Sequence, residues 1–113
     1  MHELSLMDNV LQMAAEHARA QEATAIHKIT MRIGDMSGVS IDALTFAFDV
    51  LARDTMAAGA ELLIEPVKAR CRCKACAAEF TPDSPITTCP GCGAPGATLI
   101  EGREIELTSM EVS

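Results

Sequence analysis

Two pairs of cysteines with the same internal spacing stand out in this 113-residue sequence. Cys73 and Cys76 form one C-x-x-C pair, Cys89 and Cys92 form the other, and 12 residues separate the pairs. Two residues between cysteines let both sulfurs reach one ion from a tight turn, and four thiolates in a tetrahedron form a closed, structural zinc site. The spacing therefore predicts structural zinc. A rubredoxin-like iron site is the alternative, because four cysteines do not select zinc by themselves.

The fifth cysteine, Cys71, is separated from the first pair by one residue and lies between Arg70 and Arg72. Three interpretations are open: a buried small apolar residue, an alternative metal ligand, or a reactive thiol beside positive charge. We favour the buried residue. An odd number of cysteines clustered late in the chain indicates thiolates for metal rather than a set of disulfides.

The first three residues, Met1, His2 and Glu3, have the chemistry of a second metal site. A free α-amine, the amide nitrogens that follow it and the imidazole of His2 can form fused chelate rings around one ion. Deprotonated amides favour square-planar geometry, which suits Ni(II) or Cu(II) more than zinc. Glu3 offers a carboxylate for a form of higher coordination. Because these ligands must lose protons to bind, such a site weakens in acid.

Other polar residues have simpler roles. His17 falls late in a predicted helix and His27 on the polar side of a predicted strand, so both are expected at the surface. Asp35 and Asp42 flank a glycine-containing turn. We interpret Asp35 as a turn residue and Asp42 as the acid expected in the first turn of a helix.

Hydrophobic spacing predicts the elements that position these residues. A first helix is indicated by apolar residues every three or four positions: Leu4, Met7, Val10, Leu11, Ala14, Ala15 and Ala18. Alternation from Ile26 to Ile33 predicts a strand. Ser40 is the predicted N-cap of a second helix, with a buried side of Ile41, Leu44, Phe48 and Leu51. A strand interrupted by Pro66 follows over 61–70, and strand-like alternation resumes over 98–112. Pairing of these last two segments would leave residues 71–97 as a protruding lobe.

Composition excludes several classes of function. The formal charge is −7, and three phenylalanines are the only aromatic residues. Nucleic-acid binding relies on basic residues and stacking aromatics, so we expect no nucleic-acid partner. No apolar run approaches the roughly 20 residues that span a bilayer, and no signal-peptide pattern opens the chain. We therefore expect no membrane association and a cytoplasmic location.

Over almost its whole length, the sequence resembles the HypA/HybF family of hydrogenase nickel-insertion proteins. Besides the two cysteine pairs, the resemblance rests on Met1-His2-Glu3-Leu4-Ser5, Gly34-Asp35-Met36-Ser37-Gly38-Val39, Phe46-Ala47-Phe48, Gly102-Arg103-Glu104-Ile105-Glu106-Leu107 and Ser109-Met110-Glu111-Val112. It implies an α+β fold, with two helices packed on a small mixed β-sheet and an inserted four-cysteine zinc-ribbon-like lobe. The implied domains are a nickel-binding domain of residues 1–70 plus 98–113 and a zinc-binding lobe of residues 71–97.

The resemblance also implies the metal ligands. Transferable nickel carries over to His2, with Glu3 as a further candidate, and structural zinc to Cys73, Cys76, Cys89 and Cys92. Some relatives have a carboxylate near the start of the second helix that approaches nickel. Position 40 is serine here, and the nearest acid is Asp42.

The implied function is that of a nickel metallochaperone rather than an enzyme, acting as a monomer or weak homodimer. It would receive Ni(II) from or together with the GTPase accessory protein HypB and pass it to the [NiFe]-hydrogenase large-subunit precursor; some relatives also support urease. Two alternatives fit the cysteines alone: a zinc-ribbon adaptor of transcription or translation, and a rubredoxin-like electron carrier.

Overall fold

The computed structural model describes residues 2–82 and 88–113. Its elements, in chain order, are α1 (Glu3–Ala20), β1 (Ile26–Gly34), α2 (Ile41–Leu51), β2 (Glu61–Val67), β3 (Arg70–Arg72), β4 (Glu79–Phe80), β5 (Thr98–Glu101) and β6 (Ile105–Val112). Two helices and two small sheets confirm the predicted α+β class. Within the described part of the chain, no helix is long and apolar enough to cross a membrane.

The chain divides into two compact units. The helical unit comprises Met1–Arg32, Val39–Glu65 and Glu106–Ser113, and the cysteine unit comprises Ile33–Gly38 and Pro66–Ile105. The cysteine unit thus extends beyond the predicted lobe of residues 71–97 at both ends. The assignment of nickel to one unit and zinc to the other stays a prediction.

Helix α1 forms where the apolar spacing predicted it, with one correction to its buried face. Leu4 was expected on that face but is half exposed, whereas Leu6 is buried. Positions 4 and 6 lie about 200° apart around the helix axis, so the turn that directs Leu6 to the core directs Leu4 away from it. The remaining buried residues follow helical spacing: Met7, Val10, Leu11, Ala14 and Ala18.

Strand β1 is the centre of a three-stranded sheet with the order β2-β1-β6. Its predicted inner face, Ile29, Met31 and Ile33, is fully buried. Two contacts link the β1 side to the β2 side of the sheet, Lys28 to Glu61 and Asp35 to Val67. Two others link β1 to the β6 side, Thr30 to Thr108 and Gly34 to Glu104. Residue numbers increase in the same direction along β1 and β2, so these strands are parallel. They increase in opposite directions along β1 and β6, so these strands are antiparallel and the sheet is mixed. Parallel β1 and β2 need a crossover, which α2 provides.

Helix α2 begins at the predicted cap. The Ser40 hydroxyl accepts a hydrogen bond from the backbone N–H of Ala43 at 3.2 Å, which satisfies one free N–H of the first turn. Leu44 and Phe48 are buried as expected. Ile41 was expected on the buried side but is exposed, because the first turn of the helix extends past the core that covers Leu44.

A second three-stranded sheet, β4-β3-β5, belongs to the cysteine unit and is antiparallel. Arg70 in β3 pairs with Glu101 in β5, so the predicted segments 61–70 and 98–112 meet at this pair. Their long strands, β2 and β6, do not pair with each other, because β1 lies between them. Cys71 lies in β3 and is fully buried, in agreement with its interpretation as a small apolar residue. Pro66 occupies the edge strand β2, the kind of position to which proline is confined within sheets.

Candidate metal centres

The four cysteine sulfurs of the two C-x-x-C pairs converge on one point. Cys73 Sγ lies 3.5 Å from Cys92 Sγ, and Cys76 Sγ lies 3.7 Å from Cys89 Sγ. All four sulfurs are within 4.8 Å of one another. A tetrahedron with metal–sulfur bonds of about 2.3 Å has edges of about 3.8 Å, so the sulfurs already have the spacing that zinc requires.

Each pair sits on the same kind of tight turn. In the first turn, the Cys73 N–H donates to the carbonyl of Ala78 at 2.9 Å and the Ala77 N–H donates to the carbonyl of Cys73 at 3.0 Å. The second turn repeats both bonds, at 3.0 and 2.9 Å, sixteen positions later along the chain. The residue after each pair has a left-handed backbone, with φ of +63° at Ala77 and +75° at Gly93. Glycine adopts this conformation freely, whereas alanine does so with strain.

Backbone N–H groups favour the thiolate of the first cysteine in each turn. The N–H groups of Cys76 and Ala75 point at the Cys73 sulfur, at 3.5 and 3.4 Å. They lower the pKa of that thiol to about 6. The N–H of Cys92 lowers the pKa of Cys89 in the same way. Two of the four groups are thus prepared to bind a cation as thiolates.

The second cysteine of each turn behaves in the opposite way. The N–H of Ala94 acts to lower the pKa of Cys92, but the adjacent sulfurs of Cys73 and Cys89 outweigh it and raise the pKa to about 12. The pKa of Cys76 is raised for the same reason. Four thiolates this close repel one another, so the set needs a cation to become fully deprotonated. This donor set fits a resident Zn²⁺, whose binding would release the remaining protons.

The quartet is sheltered on one side only. Cys73 and Cys89 are buried, whereas Cys76 and Cys92 are exposed. Cys71 is buried as well but is not part of the quartet. Within the described residues, the quartet is the only group of three or more histidine, cysteine or acidic side chains close enough to share an ion. With four sulfur ligands, such a centre has no open position for catalysis.

The second predicted site lies where α1 begins. His2 is the N-cap of α1 and is exposed, and its imidazole makes no capping hydrogen bond. The Glu3 carboxylate accepts a hydrogen bond from the backbone N–H of Ser40 at 3.1 Å, and this bond is the main cause of the lowered pKa of Glu3. Residues 2 and 3 therefore lie beside the first turn of α2. Met1, whose α-amine completes the predicted chelate, is outside the described residues.

The other polar candidates are two histidines and two aspartates, of which Asp42 belongs to the turn of α2 that lies beside this site. His17 and His27 are both exposed, and His27 Nε2 is 2.7 Å from the Ser113 hydroxyl. Asp35 accepts a hydrogen bond from the backbone N–H of Ala69 at 3.3 Å, as suits a turn residue. Asp42 lies in the first turn of α2. Sequence reasoning missed the contact of Glu3 with Ser40, because the two residues are 37 positions apart and no local pattern joins them.

Comparison with known proteins identifies the family. Residues 1–112 match the family model described as hydrogenase/urease nickel incorporation, metallochaperone, hypA. The chain belongs to the HypA family. Its members are metallochaperones and maturation factors rather than enzymes, and the match over nearly the whole chain decides against the adaptor and electron-carrier alternatives.

Individual relatives agree with the family match. The hydrogenase maturation factors HypA of Picosynechococcus sp. and Geotalea uraniireducens are 42% and 39% identical to this chain over 112 residues, with 99% of each chain covered. The solution structure of the Ni metallochaperone HypA from Helicobacter pylori is 25% identical, with a TM-score of 0.68 over 99% of this chain and 97% of that one. A second solution structure of a HypA protein has a TM-score of 0.72 at 25% identity, over 100% and 97% of the two chains.

Proposed function

We propose that this HypA-family chain binds Ni(II) at its amino terminus and delivers the ion during maturation of [NiFe]-hydrogenase. Support comes from the family description, which names nickel incorporation, and from relatives named hydrogenase maturation factors. The hydrogenase large-subunit precursor is the proposed recipient of the nickel. The GTPase HypB is proposed either to supply the nickel or to act together with this chain. The cytoplasm is the proposed location.

The contact between Glu3 and Ser40 is the observation that supports this site. It holds one Glu3 carboxylate oxygen at the start of α2, next to the residues proposed as nickel ligands. Ni(II) is the cargo, bound by the imidazole of His2, the amide nitrogens next to it and the α-amine of residue 1. Amide nitrogens in one plane favour Ni(II) over zinc. Few side chains and an exposed position suit an ion that must be released again.

The cysteine quartet takes a different role in this proposal. Cys73, Cys76, Cys89 and Cys92 would hold one Zn²⁺, which supplies a tetrahedral cross-link between the two turns. A lobe of about 30 residues buries too little apolar surface to be stable alone. Zinc bound to such peptides contributes about 10–16 kcal/mol of apparent binding free energy, which is enough to order the lobe.

Nickel titration of matched variants tests the proposal. The wild-type chain is compared with His2→Ala, with a version extended by two residues before Met1, and with His17→Ala, which removes another exposed histidine on the same helix. We expect the first two changes to weaken nickel binding at least a hundredfold and His17→Ala to leave it unchanged. Zinc should remain at one ion per chain throughout, measured by elemental analysis.

Two results would contradict the proposal separately. Unchanged nickel affinity in His2→Ala would remove the amino-terminal site. Iron rather than zinc in the purified protein, with the red colour of a four-thiolate iron centre, would instead remove the structural role assigned to zinc.

A further inference from the structure

A small hollow lies between the beginning of α1 and helix α2. Its volume is about 290 Å³, and it is lined by His2, Glu3, Leu4, Ala43, Phe46 and Ala47. The two alanines are four positions apart on α2, so they lie one above the other and leave space that larger side chains would fill. The hollow is therefore an apolar recess with Leu4 and Phe46 as its walls.

The walls are unusually exposed for large apolar residues. Phe46 is 68% exposed, Leu4 is 52% exposed, and Val50, one turn beyond Phe46 on the same side of α2, is 40% exposed. We call Leu4, Ala43, Phe46 and Val50 the Phe46 face. Isolated exposed apolar residues need no explanation, but a group of them around a recess is typical of a protein interaction site.

Charge around the Phe46 face is mainly acidic. Asp42 and Asp49 share the side of α2 that carries Phe46, and Glu3 is part of the lining of the hollow. Arg53 is the basic residue on this side of the helix, and its Nε donates to the backbone carbonyl of Asp49. An acidic rim selects a partner with basic residues around its contact point. A second copy of this chain is disfavoured, since each copy carries a formal charge of −7.

We infer that the Phe46 face is a docking site for a protein partner that inserts one apolar side chain into the hollow and surrounds it with lysine or arginine. The inference rests on the proposed function in one respect: because His2 and Glu3 line the same hollow, a docked partner would lie next to the nickel ligands. Docking itself does not require nickel.

A peptide probe tests the docking site on the full-length chain. The probe is a labelled helical peptide with leucines on one face and lysines on the other, and its counterpart carries glutamates in place of the lysines. Binding is measured by fluorescence anisotropy without added nickel. We expect the lysine peptide to bind and the glutamate peptide to bind at least tenfold more weakly. A rise from about 50 to about 300 mM salt should weaken binding of the lysine peptide, because salt screens the attraction between exposed charges.

Two substitutions separate insertion from general hydrophobic attraction. Ala43→Leu fills the hollow while adding apolar surface, and Phe46→Ser removes one wall. We expect each to weaken binding of the lysine peptide at least tenfold. Met13→Ser, which changes an exposed apolar residue elsewhere on α1 (47% exposed), should have less than a twofold effect. Equal or tighter binding by Ala43→Leu would overturn the inference, as would an equal loss in Met13→Ser.

The remaining outcomes identify another occupant or another failure. If sedimentation shows a dimer of the wild-type chain that Ala43→Leu dissociates, a second copy occupies the face and the inference is wrong. Phe46→Ser should weaken peptide binding and leave nickel affinity unchanged, because its side chain offers no metal ligand. Unchanged nickel affinity in His2→Ala would refute the nickel site alone, and unchanged peptide binding in Phe46→Ser would refute the docking site alone.

Discussion

The carboxylate of Glu3 lies 3.1 Å from the backbone nitrogen of Ser40, so a side chain in the first turn of α1 accepts the N–H of the residue that caps α2. Both helix N-termini carry partial positive charge, which favours a carboxylate between them. Ser40 thus makes two separate hydrogen bonds. Its main-chain N–H donates to the Glu3 carboxylate, and its hydroxyl accepts from the N–H of Ala43.

Ser40→Ala separates these two bonds. The substitution removes the hydroxyl that caps α2 and should lower the free energy of unfolding by about 1 kcal/mol. The main-chain N–H that binds Glu3 remains, so nickel affinity should not change. Urea unfolding and nickel titration measure the two effects. Ser40→Gly is the control, with an expected loss of only a few tenths of a kcal/mol. A large loss of nickel affinity in Ser40→Ala would show that the hydroxyl, too, supports the site.

Ala77→Gly should stabilise the cysteine unit. Ala77 has a left-handed backbone that strains an alanine, and Gly93 meets the same requirement in the equivalent turn. Removing the Cβ should raise the free energy of unfolding by roughly 1 kcal/mol, offset in part by the greater freedom of glycine in the unfolded chain.

The reciprocal change tests the same explanation. Gly93→Ala should be destabilising by roughly 1 kcal/mol, because a Cβ at that position meets nothing within 4 Å and only the backbone conformation opposes it. Denaturant unfolding of zinc-loaded protein measures both variants. If both substitutions shift stability in the same direction, the strain argument is wrong.

Removal of one quartet sulfur should abolish the metal centre. Cys76→Ser changes an exposed proposed ligand without disturbing the core, so loss of metal binding is the expected direct effect. Elemental analysis should show less than one zinc per ten chains, and amide exchange in residues 88–97 should accelerate. Exchange in α1 should change little.

Cys71→Ala is the matched control for that experiment. Cys71 is buried outside the quartet, so its replacement should cost about 1 kcal/mol of stability while leaving one zinc per chain. Loss of zinc in Cys71→Ala would mean that the fifth cysteine is a ligand after all.

Glu79 should make the second sheet sensitive to acid. Arg72 donates a hydrogen bond to the Glu79 carboxylate at 2.9 Å and Arg70 adds a second positive charge, and together they hold the pKa of Glu79 below its ordinary value of 4.5. A lowered carboxyl pKa stabilises the fold at pH values above the unfolded-state pKa. That contribution is lost as the pH falls through the folded-state pKa, which lies below 4.5.

Comparison of wild type with Glu79→Gln isolates this contribution, because acid acts on the metal centre equally in both proteins. The difference in free energy of unfolding should be constant from pH 7 to about pH 5 and should shrink below that, as the wild-type carboxyl is protonated. A difference that grows in acid would show that the sign assigned to Glu79 is wrong.

Local sequence signals predicted most of the helices and strands, but they did not predict the contacts that form between the two helices. Alternation located Ile29, Met31 and Ile33 on one buried face of β1, and cysteine spacing located the quartet. Both are short-range patterns with a direct structural meaning. The contact of Glu3 with Ser40 and the exposure of Phe46 depend instead on how α1 and α2 pack, which no pattern within either helix records.

The uneven shelter of the quartet has a consequence for its lifetime in a cell. Cys76 and Cys92 face solvent while their partners are buried, so a chelator or an oxidant can approach the centre from a single side. Damage should therefore begin at these two sulfurs, and bound zinc should slow it by occupying the electron pairs that peroxide attacks. Chelation of the metal should therefore make the oxidation of these two sulfurs faster.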